Sequence, residues 1–232
     1  MARIKIFVTG TDTDAGKTLI ACGLLHRARQ MGWRTAAGKP VSAGCEDTPE
    51  GLQNDDALAL MAAMTEPLPY SQVNPVALRE AMAPHIAAMR EQRQLSVARL
   101  AGFCNGLLSQ PLDLVLLEGA GGWRVPLNPR ETMADLVREL QLPVVLVVGM
   151  KLGCLNHALL TAEAIAADGL KLAGWVANRV DAGMVCFDEN LMTLKTLLPA
   201  PCLGVVPFLA DAPSQQVADY LDLEPLLASP DA

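Results

Sequence analysis

Two kinds of apolar pattern alternate along this chain. Short β-branched runs bounded by turn residues predict strands over residues 4–9, 34–38, 112–117, 144–148, 172–177 and 203–206. Between them, apolar residues recurring every three or four positions predict helices over 17–31, 55–64, 96–109, 132–140, 157–168 and 185–198. The run Val144-Val145-Leu146-Val147-Val148 is apolar on both faces, as a strand covered by helices on each side must be. Gly32 and Gly169 fall just past two of the helices, where a left-handed cap is wanted. Strand–helix alternation of this kind is the signature of βα units, so the expected class is α/β, with a mostly parallel central sheet flanked by helices. No repeat, low-complexity tract or linker interrupts it. The proline-punctuated stretch 65–84 reads as an excursion from the sheet, and residues 1–232 as a single domain.

Composition narrows the class. Hydrophobic residues make up 51% of the chain but aromatics only 4%, which suits helices on a buried sheet better than a β-sandwich. With 18 Lys and Arg against 25 Asp and Glu the net charge is −7, and no basic block is present, so no nucleic-acid partner is expected. The six cysteines form no C-x-x-C pair and sit mostly in apolar runs, as reduced core residues do. Residues 1–5 lead straight into a strand pattern without the features of a signal peptide. The longest apolar stretch, 142–150, is about half the length of a membrane span. A cytoplasmic protein without a membrane partner is expected. His26 is expected partly exposed on the first helix, His85 and His157 are too isolated to suggest a metal site, and Trp123 is a candidate to line a pocket.

The strongest chemical signal is Gly10-Thr11-Asp12-Thr13-Asp14-Ala15-Gly16-Lys17-Thr18, between the first strand and the first helix. In such a loop backbone N–H groups point at phosphate oxygens and the helix N-terminus adds partial positive charge. Lys17 would reach the β- and γ-phosphates of ATP, and the Thr18 hydroxyl would ligate Mg²⁺. Five residues, not the usual four, separate the first glycine from the Gly-Lys pair. Glu118 follows four apolar residues and precedes Gly119-Ala120-Gly121-Gly122, which puts a carboxylate at the sheet edge where the loop also lies. It reads as a metal-holding carboxylate or as a helix cap in a tight turn. Lys39 ends the second strand and reads either as a group poised over that edge or as a solvated surface lysine, with little bearing on folding in both cases. In Asn54-Asp55-Asp56 one aspartate is a plausible helix cap, which leaves the second to approach a metal.

These elements in this order resemble the dethiobiotin synthetases. The resemblance is carried by the loop with its five-residue spacing, Lys39-Pro40-Val41, Thr48-Pro49-Glu50-Gly51-Leu52, Asn54-Asp55-Asp56-Ala57 and Pro84-His85. Further on, Glu118-Gly119-Ala120-Gly121-Gly122-Trp123, Lys151-Leu152-Gly153-Cys154-Leu155-Asn156-His157-Ala158 and Gly174-Trp175-Val176-Ala177-Asn178 complete it. It implies a three-layer P-loop NTPase-like fold and a homodimeric ligase of biotin biosynthesis. The implied enzyme closes the ureido ring of dethiobiotin from 7,8-diaminononanoate, CO2 (or bicarbonate) and ATP with Mg²⁺. Lys39, Lys17 and Thr13 would be catalytic, and Thr18, Asp56 and Glu118 would hold the metal. ATP would lie against Asp14, Ala15, Gly16, Lys17, Thr18, Leu19, Asp56, Glu118, Gly119, Ala120, Gly121 and Arg179, with Asn178 recognising the base and Pro207, Phe208 and Leu209 flanking it. The diamine would meet Thr13, Lys39 and Ser42, and its carboxylate Gly153, Cys154, Leu155 and Asn156 of the neighbouring subunit. Without the resemblance, that last segment reads equally as a helix start capped by Asn156.

The chain departs from the commoner family pattern at Ala43, where many relatives have a hydroxyl; Ser42 is one position earlier. A competing class, nucleotide switches of the partitioning type, shares the Gly-Lys-Thr loop but carries a lysine where this chain has Asp12. Those switches often end in a basic amphipathic helix, whereas residues 219–232 are acidic and proline-broken. An amide-forming synthetase on the same scaffold is expected to carry a glutaminase domain in addition.

Overall fold

The computed structural model describes residues 4–210 and 213–227. From the N-terminus its elements are β1 (Ile4–Gly10), α1 (Lys17–Gln30), β2 (Thr35–Gly38), β3 (Glu46–Thr48), β4 (Gly51–Gln53) and α2 (Asp55–Ala63). There follow α3 (Tyr70–Val73), α4 (Pro84–Arg90), α5 (Val97–Leu108), β5 (Leu114–Glu118), α6 (Met133–Leu140) and β6 (Val144–Met150). The remainder comprises α7 (Cys154–Ala167), β7 (Leu172–Arg179), α8 (Phe187–Leu197), β8 (Cys202–Val206), α9 (Ser214–Val217), a 3₁₀ turn (Ala218–Tyr220) and α10 (Glu224–Leu227).

All six predicted strands enter one sheet in the order β2-β5-β1-β6-β7-β8, and every neighbouring pair is parallel. β6 shows why. All its residues are buried, with Val145 and Val147 in one apolar core and Leu146, Val148 and Met150 in a second, together with residues of α7 and α8. Successive side chains of a strand point to opposite faces, so the continuous apolar run is the pattern of a sheet with helices on both sides. This is the three-layer α/β fold that was expected. Because the strands are parallel, Gly10, Gly38, Glu118, Met150, Arg179 and Val206 all end at one edge. Gly32 and Gly169 have φ of 77° and 75°, the left-handed geometry expected of residues that stop a helix.

Predicted and observed bounds differ most at α7, which begins at Cys154 and not at 157. Gly153, with φ 94°, takes the cap position, so Asn156 lies exposed inside the first turn and caps nothing. At α2 the cap position belongs to Asn54, and both Asp55 and Asp56 lie within the helix. The β3–β4 hairpin was not legible: its three pairs, Glu46 with Gln53, Asp47 with Leu52 and Thr48 with Gly51, hold Leu52 as their one large apolar side chain and carry no alternation. His26, expected partly exposed, is buried, with Nε2 3.2 Å from Ser214 Oγ, because α9 returns to cover α1. Four of the six free cysteines are buried, and burial pushes the Cys22 and Cys104 thiols up to about 12, which keeps them unreactive. Of the acidic tail, residues 228–232 lie outside the described residues, as do residues 1–3 of the N-terminus.

Candidate active site

The loops after β1, β2 and β5 converge at the carboxyl edge because those strands are adjacent and parallel. The loop after β1 is braced from the far side. Thr11 N–H donates to Val147 O (3.0 Å), Gly149 N–H donates to Thr11 Oγ1 (3.2 Å), and Asn178 Nδ2 from β7 donates to Ala15 O (2.9 Å). Gly16 opens α1 with φ 84°, and a Cβ there would overlap the Asn178 amide nitrogen. Only glycine combines that backbone with that approach. Lys17, the first residue of α1, is buried, and its Nζ donates to Asp12 O at 3.2 Å. Burial, helped by the nearby Lys39 charge, lowers its pKa.

Lys39 follows β2 directly and is only 3% exposed, which removes the surface-lysine reading. Its ammonium donates to Asp56 Oδ2 and to Glu118 Oε1, each at 2.6 Å. Glu118 is fully buried at the end of β5, and Thr18 Oγ1 donates to the same Oε1 at 2.8 Å. Burial alone would disfavour charge on Lys39, but the two carboxylates outweigh it and raise its pKa. For Asp56 burial pushes the pKa up, and the Lys39 charge and hydrogen bond overcome it, leaving the carboxyl below its ordinary value.

Beside Lys17, Thr18, Lys39 and Asp56 opens a cavity of about 830 Å³, within the range of small-molecule sites; Glu118, bonded to Lys39 and Thr18, is not on its wall. Of the expected residues it is lined by Thr13, Asp14, Gly16, Lys17, Thr18, Leu19, Lys39, Ser42, Asp56, Ala120 and Gly121. Thr13 and Asp14 line it from the loop after β1, Lys17 and Thr18 from the start of α1, Lys39 from the end of β2 and Asp56 from the start of α2. The donor set fits Mg²⁺: a hydroxyl and two carboxylates are hard oxygen ligands, and Glu118 Oε2 is buried without a hydrogen-bond partner among the described residues.

Other expected residues lie elsewhere. Gly119 packs against the Phe7 ring, where an added Cβ would collide, and Ala15 is buried beneath its loop. Asn178 spends its amide nitrogen on Ala15 O. Arg179 donates to Asp181 O (3.3 Å) and Ala182 O (3.0 Å) and stacks 5.0 Å over Phe187, so its guanidinium is committed to its own loop. Pro207, Phe208 and Leu209 follow β8, and Gly153, Cys154, Leu155 and Asn156 open α7; neither group lines this cavity. Ser42 lines it, but its hydroxyl donates to Asn74 Oδ1 at 2.7 Å. Trp123 is not a wall: it meets Phe7 edge-on (centroids 6.5 Å apart) and donates Nε1–H to Asp168 Oδ2 at 2.8 Å.

Sequence reasoning missed Asn54, Arg124, Val125, Pro126 and the stretch Ala81-Met82-Ala83-Pro84, which also line the cavity. Adjacency to Asp56 and to the glycine run was the available signal for Asn54 and Arg124; nothing local marked the stretch before Pro84.

A glycine loop wrapped on a helix N-terminus, at the carboxyl edge of a parallel sheet and beside a buried acidic residue, defines a P-loop nucleotide-binding protein. The profile of a family described as an AAA domain matches residues 4–216. A septum site-determining protein MinD of Pyrococcus horikoshii, solved with Mg-ADP, superposes with a TM-score of 0.56 at 15% identity, over 99% of this chain and 90% of its own. The signal recognition particle receptor FtsY of Elizabethkingia anophelis gives 0.52 at 17% identity, over 94% of this chain and 65% of its own. These likenesses concern the fold, which the partitioning switches share. Sequence relatives are more specific. The ATP-dependent dethiobiotin synthetase BioD of Cellvibrio japonicus is 61% identical over 98% of this chain and 99% of its own. That of Pseudomonas paraeruginosa is 60% identical over 95% and 96%. The chain belongs to the dethiobiotin synthetase family.

Proposed function

We propose that this protein closes the ureido ring of dethiobiotin from 7,8-diaminononanoate, CO2 and ATP in biotin biosynthesis, as an ATP-dependent cyclo-ligase. The carrying observation is the buried Lys39 ammonium, held between Asp56 and Glu118 on the wall of the cavity that the P-loop also lines. One amine adds to CO2 and loses a proton, giving a carbamate. A carbamate oxygen attacks the γ-phosphorus while the bond to ADP breaks. The second amine then attacks the carbamate carbon, phosphate leaves, and a proton is released. Carbamate and triphosphate are both anions, so the attack needs their repulsion neutralised in a preorganised site. Lys17 and Lys39 supply that charge from this chain, and Thr13 lies on the cavity wall to orient the amines. Thr18, Asp56 and Glu118 would hold Mg²⁺, which neutralises phosphate charge when bound. Asp14, Leu19, Ala120 and Gly121 would flank the phosphates, and Asn178, whose Oδ1 is not spent on Ala15, would meet the base with Pro207–Leu209 outside this cavity.

The test is product formation. With carbon-labelled bicarbonate, one labelled dethiobiotin should form per ADP; ADP without labelled product would contradict the assignment.

The same reading makes the enzyme a cytoplasmic homodimer. Among the described residues no helix is long and apolar enough to cross a membrane. The substrate carboxylate is too far from its amines to share the phosphate site. The first turn of α7 offers N–H groups with no side-chain cap, and Leu152 beside it is 96% exposed, an apolar surface suited to a second copy. Asn156→Asp should raise the diamine KM roughly tenfold through like-charge repulsion, with the protein a dimer by light scattering. A fully active monomer, or an unchanged KM, would refute the shared site.

A further inference from the structure

We propose that Asn74 is a positioning residue for this reaction, which fixes the backbones that carry Lys39 and Asp56 although it does not itself line the cavity. The inference rests on Lys39 acting in catalysis.

Asn74 follows α3 and is 3% exposed, and its carboxamide is fully used. Nδ2 donates to Lys39 O at 2.7 Å and, at the limit of a hydrogen bond, to Val76 O at 3.5 Å. Oδ1 accepts from Ser42 Oγ at 2.7 Å and from Tyr70 OH at 2.9 Å. Having given its proton to Asn74, the Tyr70 hydroxyl accepts the Asn54 N–H at 2.8 Å. The nitrogen faces two carbonyls and the oxygen two hydroxyls, so a flipped amide would oppose its neighbours and the direction of each bond is set.

The partners show what this network is for. Lys39, Ser42 and Asn54 all line the cavity, from two separate segments that the β3–β4 hairpin divides. Asn54 occupies the cap position of α2 two residues before Asp56, yet its own side chain makes no cap bond, so Tyr70 supplies the polar anchor at that helix start. The Lys39–Asp56 ion pair of 2.6 Å therefore spans two backbones that one carboxamide holds together. Lys39 N–H to Val73 O (2.7 Å) and Ser42 N–H to Val76 O (2.9 Å) complete the clamp on the lysine side. A merely space-filling buried asparagine has no reason to gather its bonds on these segments. A satisfied buried network of this kind fixes geometry more than it adds net stability.

Asn74→Asp is isosteric but removes both N–H donors, and Tyr70→Phe keeps the ring but breaks the link to Asn54. The expected loss in kcat is about 10²-fold for the first and about tenfold for the second, the scale of a misplaced catalytic group, with KM for ATP within about twofold. In a Lys39→Ala background both substitutions should cost clearly less than in the parent enzyme, because part of their effect runs through Lys39 and only the part through Asp56 is left. Unchanged kcat in both variants, or the same fold-loss with Lys39 already removed, would overturn the inference. Should Asn74→Asp fail to fold, the Tyr70→Phe cycle decides alone. A Lys39→Ala enzyme with normal kcat overturns the reading of Lys39 and this inference with it, whereas an impaired Lys39→Ala beside unimpaired Asn74 and Tyr70 variants overturns the inference alone.

Discussion

Replacing Lys39 by alanine should lower turnover by about 10²-fold or more, the scale of losing one preorganised electrostatic stabiliser. From sequence the same substitution is expected to leave folding nearly untouched. The structure changes that expectation, because the lysine is 3% exposed and bonded to two carboxylates, one of them fully buried. Removing one partner of a buried ion pair leaves uncompensated charge and costs about 3–5 kcal/mol. Lys39→Ala should therefore unfold at lower temperature as well as turn over slowly, with magnesium and ATP recovering part of the stability. Kinetics must be taken where circular dichroism shows the variant folded. Normal kcat in the folded variant would return Lys39 to a structural role.

Glu118→Gln is expected to be the next most damaging change. The substitution keeps shape and an acceptor for Thr18 and Lys39, but it removes the charge and puts an amide in place of one carboxylate oxygen. Glu118 Oε2 has no hydrogen-bond partner among the described residues and no solvent exposure, so an N–H group facing a cation there has nowhere else to turn. The magnesium concentration for half-maximal rate should rise by at least about tenfold, the scale of removing one charge-assisted bond from a buried site. Asp56→Asn should act in the same direction but less, since its side chain is 42% exposed against 0% for Glu118 and water screens it. A lowered Tm with unchanged magnesium dependence would make both carboxylates structural.

The parts of the site that sequence reveals are those in which one short segment does the whole job. Gly16-Lys17-Thr18 needs only a strand before it and a helix after it. Glu118 and Lys39 are marked by position, each a charge at the end of an apolar run, and parallel strands bring such ends together without further instruction. What stayed hidden depends on partners distant in the chain. Asn74 lies within the stretch 65–84 that reads only as an excursion from the sheet, and its bonds to Lys39 and Ser42 span 35 and 32 residues. His26 looks exposed until Ser214, 188 residues away, covers it. Ser42 resembled a substrate hydroxyl, and only the structure gives that proton to Asn74. The β3–β4 hairpin and α3 are too short and too polar for periodicity to register. The likeness to MinD shows the fold alone, and a nucleotide switch and a synthetase can share a fold. What separates them is whether ATP cleavage waits for an acceptor.

The most direct measurement is therefore steady-state ADP release in magnesium and ATP, with the diamine and bicarbonate each left out in turn. The account predicts rapid release only in the complete mixture and near-background release in both omissions, because the attacking oxygen belongs to a carbamate that needs both. Equal ADP release with ATP and magnesium alone would contradict it and leave a nucleotide switch in its place.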